Sequence, residues 1–158
     1  MIKYKKIIIS EENKTEIETQ SYLNNLIALS KSWVEEDICP SFGINEEKDY
    51  INQELYVAID ECRIVAYAKG FICKLENKTS YNEKGEKCFY LDEIYVNKSY
   101  RHQEIGKLLY EFMEKDLKNR VKVIKVNAAS KEYKKLLHFY IDQLDMSFNY
   151  ALVVKRIG

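Results

Sequence analysis

The chain has 158 residues, and Lys plus Arg equals Asp plus Glu at 25 each, so the formal net charge is zero. That length suits one domain with its own core; the balanced charge gives no overall field to hold nucleic acid or an anionic membrane, so any anion site must be local. The cysteines Cys39, Cys62, Cys73 and Cys88 lack metal-ligand spacing and only two histidines accompany them, while no apolar run reaches the roughly 18 residues of a membrane span.

The opening Met1-Ile2-Lys3-Tyr4-Lys5 leads into no signal-peptide core, and the expectation is a metal-free cytoplasmic protein with reduced thiols. Residues 2–9 alternate β-branched or aromatic side chains with lysines and predict a first strand. Over 15–34, Ile17, Tyr22, Leu23, Leu26, Ile27, Trp33 and Val34 form a helical stripe. The single proline, Pro40, breaks it, and 45–53 predicts a short second helix. Strands follow at 55–59 and 64–73, then a polar hairpin loop over 74–87 and a strand at 88–96. Ile105, Leu108, Leu109, Phe112, Met113 and Leu117 recur at three- and four-residue steps, predicting a helix over 103–119. A strand over 121–127, an N-cap at Ser130, a helix striped by Tyr133, Leu136, Leu137, Tyr140, Ile141 and Leu144, and a closing strand over 148–157 complete the order. This is an α/β chain with a mixed sheet and helices on both faces.

The informative stretch is Tyr90-Leu91-Asp92-Glu93-Ile94-Tyr95-Val96, followed after a short loop by Arg101-His102-Gln103-Glu104-Ile105-Gly106-Lys107. A strand feeding through a basic turn into a helix N-terminus offers unpaired N–H groups and positive potential to a phosphate. Asp92 and Glu93, adjacent on a strand, are expected on opposite faces, so one can look into a reaction cleft.

This arrangement resembles the GNAT superfamily of acyl-CoA-dependent N-acyltransferases, most closely over 89–140. The family pattern of Arg or Gln, two residues, Gly, one residue, Gly or Ala is met here by Arg101-His102-Gln103-Glu104-Ile105-Gly106, with Glu104 in the first glycine's place. The resemblance implies a mostly antiparallel sheet whose fourth and fifth strands splay apart around acetyl-CoA as cosubstrate. Backbone groups of Ile94, Tyr95 and Val96 are then expected on the pantetheine arm. The turn residues Arg101, His102, Gln103, Glu104, Ile105, Gly106 and Lys107 are expected at the pyrophosphate, with Glu104 turned outward, and Asn127 at the cofactor. Tyr140 is the implied acid for the leaving thiolate, although its place on an apolar stripe reads equally as core. Asp92, or else Glu93, is the implied base, with an N–H near Tyr95 or Val96 polarising the carbonyl. Trp33, Glu36 and Phe42 are expected to bind a small cationic amine such as a polyamine or aminoglycoside. An acyl-CoA-binding module without turnover and a protein N-acetyltransferase are the other readings, and a sheet edge offers a route to a homodimer.

Overall fold

The computed structural model describes residues 1–158. The elements are β1 (Lys3–Ile7), α1 (Ile17–Glu35), β2 (Glu54–Asp60), β3 (Arg63–Lys74), β4 (Lys87–Val96), α2 (Ile105–Leu117), β5 (Val123–Val126) and α3 (Tyr133–Leu137). The five strands lie in chain order in one sheet; the first four pair antiparallel, and β5 joins β4 in parallel after the α2 crossover. Both faces are covered, which is why β2 and β3 read as nearly continuous apolar runs. On one face Leu23, Leu26 and Leu29 of α1 pack with Ile7, Leu55, Val57 and Tyr67. On the other, Ile105, Leu109, Met113 and Leu117 of α2 pack with Tyr56, Ala58, Phe89 and Leu91.

A bulge divides β4. Lys69 pairs with Glu93 and the next residue, Gly70, pairs with Leu91, so Asp92 is surplus. Gly70 permits it: a Cβ there would lie 2.2 Å from the Tyr90 carbonyl oxygen and 2.5 Å from the Phe89 ring. Beyond the bulge the alternation is shifted. Phe89 and Leu91 belong to the α2 core, Tyr95 belongs to the α1 core, and Ile94 and Val96 pack on the α2 side.

Three expectations are corrected. The helix over 45–53 is only a 3₁₀ turn, Glu47–Asp49, held by reciprocal caps between Glu46 and Asp49. The last helix is α only over Tyr133–Leu137 and widens into a π-helical turn, His138–Gln143; Ser130 caps the turn before it, accepting from the Glu132 N–H at 2.9 Å. Residues 148–157 form no strand, so the sheet ends at β5; their alternation suits a strand, but no neighbouring strand of this chain pairs with them.

Candidate functional site

The gap between β4 and β5 builds the site. Their pairing runs from Cys88 with Val123 to Leu91 with Val126 and stops at the bulge, while β4 continues to Val96. The Asn97 N–H donates to the Val65 carbonyl at 2.9 Å. By the alternation of an antiparallel ladder, the Tyr95 and Glu93 backbone groups then face β3, and those of Ile94 and Val96 face the gap. The expected carbonyl-polarising N–H is therefore not that of Tyr95, which is turned into the sheet.

Above the gap the chain turns sharply. Asn97 accepts from the Ser99 N–H at 3.0 Å, and His102 and Glu104 both take left-handed conformations, with φ of 61° and 60°. None of the backbone N–H groups of residues 102–107 has an acceptor within the chain. Unpaired amides on such a turn, at the start of the 13-residue helix α2, make an anion receptor. The left-handed φ at Glu104 also shows what a glycine supplies at this position: backbone conformation as much as room for a phosphate.

A cavity of about 810 Å³ runs from this turn down the gap. Tyr95, Arg101, His102, Glu104, Ile105, Gly106 and Lys107 border it, as do Ile94 and Val96, and Trp33 borders its far end. Gln103, Asn127, Asp92, Glu93, Glu36, Phe42 and Tyr140 do not. Gln103 instead donates to the Ser99 carbonyl at 3.5 Å, and Asn127 is exposed beyond the end of β5. Leu136, which lies on the helical stripe, and Phe139, which lies off it, form an apolar wall. The far end is closed by a strap: the Ile38 carbonyl accepts from the Lys131 N–H at 2.7 Å, the Cys39 thiol reaches the Ala129 carbonyl at 3.3 Å, and Lys131 pairs with Asp37 at 2.9 Å. These contacts cross some ninety residues of sequence, and no local pattern announces them.

The side chains expected to grip ligands are largely engaged with one another. Arg101 meets Glu36 through two hydrogen bonds of 2.8 and 2.7 Å, its Nε donates to the Val96 carbonyl at 3.0 Å, and the Tyr95 hydroxyl donates to Glu36 at 2.6 Å. Burial alone would raise the Glu36 carboxyl, but hydrogen bonds from Arg101 and Tyr95 outweigh it and hold it below the usual range. Tyr95 stacks on Trp33 at 5.2 Å, the Phe42 ring lies tilted against it at 4.2 Å, and the Arg101 guanidinium lies 5.4 Å above Tyr95. Arg101 is thus a brace rather than a free phosphate ligand. Trp33, Glu36 and Phe42 form a wall whose faces and charge are already satisfied.

The two adjacent carboxylates do not oppose each other. Because the bulge undoes alternation, Asp92 and Glu93 both reach the buried ammonium of Lys69, at 3.1 and 3.3 Å. Glu93 is 7% exposed and also accepts from Asn45 at 2.8 and 3.0 Å and from the Tyr67 hydroxyl at 2.7 Å. Burial, then Glu93, pushes the Tyr67 hydroxyl well up. The Asp92 side chain keeps 47% of its surface exposed. Tyr140 sits in the π-helical turn, 6% exposed, and its hydroxyl has no hydrogen-bond partner in the chain; burial pushes it up. No group of three or more His, Cys, Asp or Glu side chains is placed to hold a metal ion, and no helix is long and apolar enough to cross a membrane.

No curated protein matches the chain in sequence. Among solved structures, an aminoglycoside acetyltransferase from an uncultured soil metagenomic sample superposes with a TM-score of 0.67 at 19% identity, over 99% of this chain and 97% of that one. The ribosomal-protein-alanine N-acetyltransferase of Brucella melitensis biovar Abortus 2308 gives 0.66 at 15% identity over 100% of both chains. A Clostridium acetobutylicum predicted acetyltransferase, solved with acetyl-CoA, gives 0.62 at 17%, over 100% of this chain and 96% of that one. At these identities the likeness is one of fold. The family model described as the acetyltransferase (GNAT) family matches residues 22–142, from α1 through the gap and the amide-lined turn to the π-helical turn. An open strand pair, an anion-receiving helix start and that match agree, and the chain belongs to the GNAT family of acetyltransferases.

Proposed function

We propose that the protein transfers the acetyl group of acetyl-CoA to a primary amine of a small cationic acceptor, by direct attack with both molecules bound. The observation that carries this reading is the continuity of the unpaired amides of residues 102–107 with the open β4 edge at Ile94 and Val96. Acetyl-CoA carries its pyrophosphate and its amide-bearing arm in that order, and the cavity is of the size that holds such ligands. The amides of 102–107 and the Lys107 ammonium would take the pyrophosphate, and Ile94 and Val96 the arm. When bound, the cosubstrate supplies the thioester acyl group and its leaving thiolate.

The chain's own groups supply the rest. An N–H of Ile94 or Val96 polarises the acyl carbonyl. Tyr140, kept protonated by burial, holds the proton that the leaving thiolate needs. Asp92, the more exposed carboxylate, takes the proton released by the amine through solvent, and Glu93 positions Lys69 beside it. Cys39 borders the cavity, but burial and then Glu93 raise its thiol, which favours direct attack over an acyl-cysteine route.

For the acceptor, the exposed carboxylates of Asp37 and Asp92 suit an ammonium, and one structural relative was solved with sisomicin. The four free thiols fit a reducing compartment, the cytoplasm. The test is calorimetric titration with acetyl-CoA, with pantetheine lacking the pyrophosphate as control, followed by thiol-release assays with sisomicin and spermidine. Binding lost with the fragment, together with thiol release on adding an amine, supports the reading, and absence of acetyl-CoA binding overturns it. A binding module without turnover is favoured by Glu104, which sets a carboxylate at the cavity rim. Tight binding with no release from either amine would select that alternative.

A further inference from the structure

We propose that Cys73 and Cys88 form a redox modification site, a pair of thiols that hydrogen peroxide converts into a cross-strand disulfide. The site is separate from the acetyl-transfer reading, since neither residue borders the cavity.

The register of β3 with β4 sets the two cysteines face to face. Between the bulge and the hairpin loop the ladder runs unbroken from Gly70 with Leu91 to Lys74 with Lys87, and Cys73 lies opposite Cys88 within it. The Leu75 N–H donates to the Glu86 carbonyl at 2.9 Å, while the Lys87 carbonyl turns to the other side and accepts from the Lys122 N–H at 2.9 Å. By alternation Cys73 and Cys88 are a pair that exchanges backbone hydrogen bonds, with Cα atoms about 5.5 Å apart. A disulfide spans Cα distances of about 4.4–6.8 Å. The remaining cysteines have no such partner: Cys39 lies in the strap and Cys62 in the exposed turn between β2 and β3.

Both side chains take the same side of the sheet. Ile72, Phe89 and Ile124 pack toward α2, so Cys73, Cys88 and Lys125 take the opposite face. There the Lys125 ammonium donates to the buried Asn82 of the hairpin loop at 3.1 Å. Cys88 is fully buried on this face, whereas Cys73 is half-buried.

That difference orders the chemistry. Burial, then Cys73, pushes the Cys88 thiol up to about 11, so Cys88 does not meet an oxidant as a thiolate at neutral pH. Cys73 is the sulfur that peroxide reaches. Its thiolate attacks one peroxide oxygen and the O–O bond breaks, leaving a sulfenic acid and a hydroxide that takes up the proton the thiol released, as one water. The Cys88 sulfur then attacks the sulfenyl sulfur. The S–S bond forms, the S–O bond breaks, and the departing hydroxide takes the Cys88 proton as a second water. Opposed Cβ atoms lie about 4.5–5.5 Å apart, against about 3.8 Å in a disulfide, so closure draws the strands together. A bond closed under strain is readily reduced, which makes the modification reversible.

The test treats the folded full chain with graded hydrogen peroxide, counts thiols, maps peptides by mass spectrometry and then adds dithiothreitol. Expected are loss of two of the four free thiols, a Cys73–Cys88 linked peptide from a single chain on a non-reducing gel, and full return of the thiols on reduction. In Cys88→Ala the sulfenic acid on Cys73 should persist and be trapped by dimedone, and in Cys73→Ser the Cys88 thiol should stay reduced. The wild-type arm decides the matter even if a variant at the buried Cys88 fails to fold. Four thiols intact at every peroxide concentration overturn the proposal, as does Cys73 oxidised to the sulfinic acid beside a reduced Cys88. A bridge to Cys39 or Cys62 overturns it too, and so does a Cys73–Cys88 link that forms in urea but not in the folded protein.

Discussion

Arg101 and Glu36 meet fork to fork, at 2.8 and 2.7 Å, 65 residues apart in the chain. The pair ties the end of α1 to the turn that carries the unpaired amides. The turn's shape therefore depends on a carboxylate outside the motif that contains Arg101. Glu36→Gln is expected to cost about 1–3 kcal/mol of stability at pH 7, as loss of a charge-assisted pair does, and to weaken acetyl-CoA binding. The folded-state Glu36 carboxyl lies below its ordinary value. Its contribution is thus present above the unfolded pKa of about 4.3 and fades as pH falls through the lower folded value. Thermal unfolding at pH 7 and at pH 3 checks this: wild type and variant should differ at the first and converge toward the second.

Glu104 holds φ at 60° with a side chain that makes no capping hydrogen bond. Replacement by glycine removes left-handed strain of about 1 kcal/mol, partly offset by the entropy of the unfolded glycine. It also takes a negative charge from the cavity rim. Glu104→Gly should raise the melting temperature slightly and tighten acetyl-CoA binding. Glu104→Ala, which keeps a Cβ, should tighten binding without the gain in stability. Calorimetry and thermal unfolding on the two variants separate charge from conformation.

Because the Tyr140 hydroxyl has no partner in the chain, Tyr140→Phe should leave stability within about 1 kcal/mol of wild type. If it holds the proton for the thiolate, kcat should fall by about 100-fold while the KM for acetyl-CoA stays level. Burial raises the hydroxyl, so it stays protonated at neutral pH, and no activity should be lost to its ionisation below about pH 10. Steady-state kinetics across pH decides it; unchanged kcat removes Tyr140 from the reaction.

Lys69 is the sole ammonium between two carboxylates and is 5% exposed. Lys69→Met should destabilise the fold by about 3–5 kcal/mol, because it leaves Glu93 charged and buried. Adding Glu93→Gln should return part of that loss, a coupling that a urea-unfolding double-mutant cycle measures directly.

These contacts explain why some parts of the molecule were legible in sequence and others were not. Helix α2 was legible because Ile105, Leu109, Met113 and Leu117 repeat with the helical period, and the amide-lined turn because it directly precedes them. The same local reading placed Asp92 and Glu93 on opposite faces, since nothing near them signals a bulge. The residue that permits it, Gly70, lies on the neighbouring strand. Trp33, Glu36 and Phe42 were correctly seen as aromatic and acidic, but composition does not say that Tyr95 and Arg101 arrive from β4 and its loop to occupy them. The alternation of 148–157 was real, although a strand also needs an edge to pair with.

The surplus residue at Asp92 acts as a half-period phase shift in β4. Upstream of it Phe89 and Leu91 pack with the α2 core; downstream Tyr95 packs with α1, and Ile94 and Val96 take the α2 side with their backbone edge toward the gap. Deleting Asp92 would take out the surplus residue alone: Glu93 would stay opposite Lys69, Leu91 opposite Gly70, and the Tyr95 ring beside Trp33 and Glu36, while the bend at which β4 leaves β5 would be lost. The divergence of the two strands is in that sense one residue wide, and its counterpart is the bare backbone of Gly70 on the strand beside it.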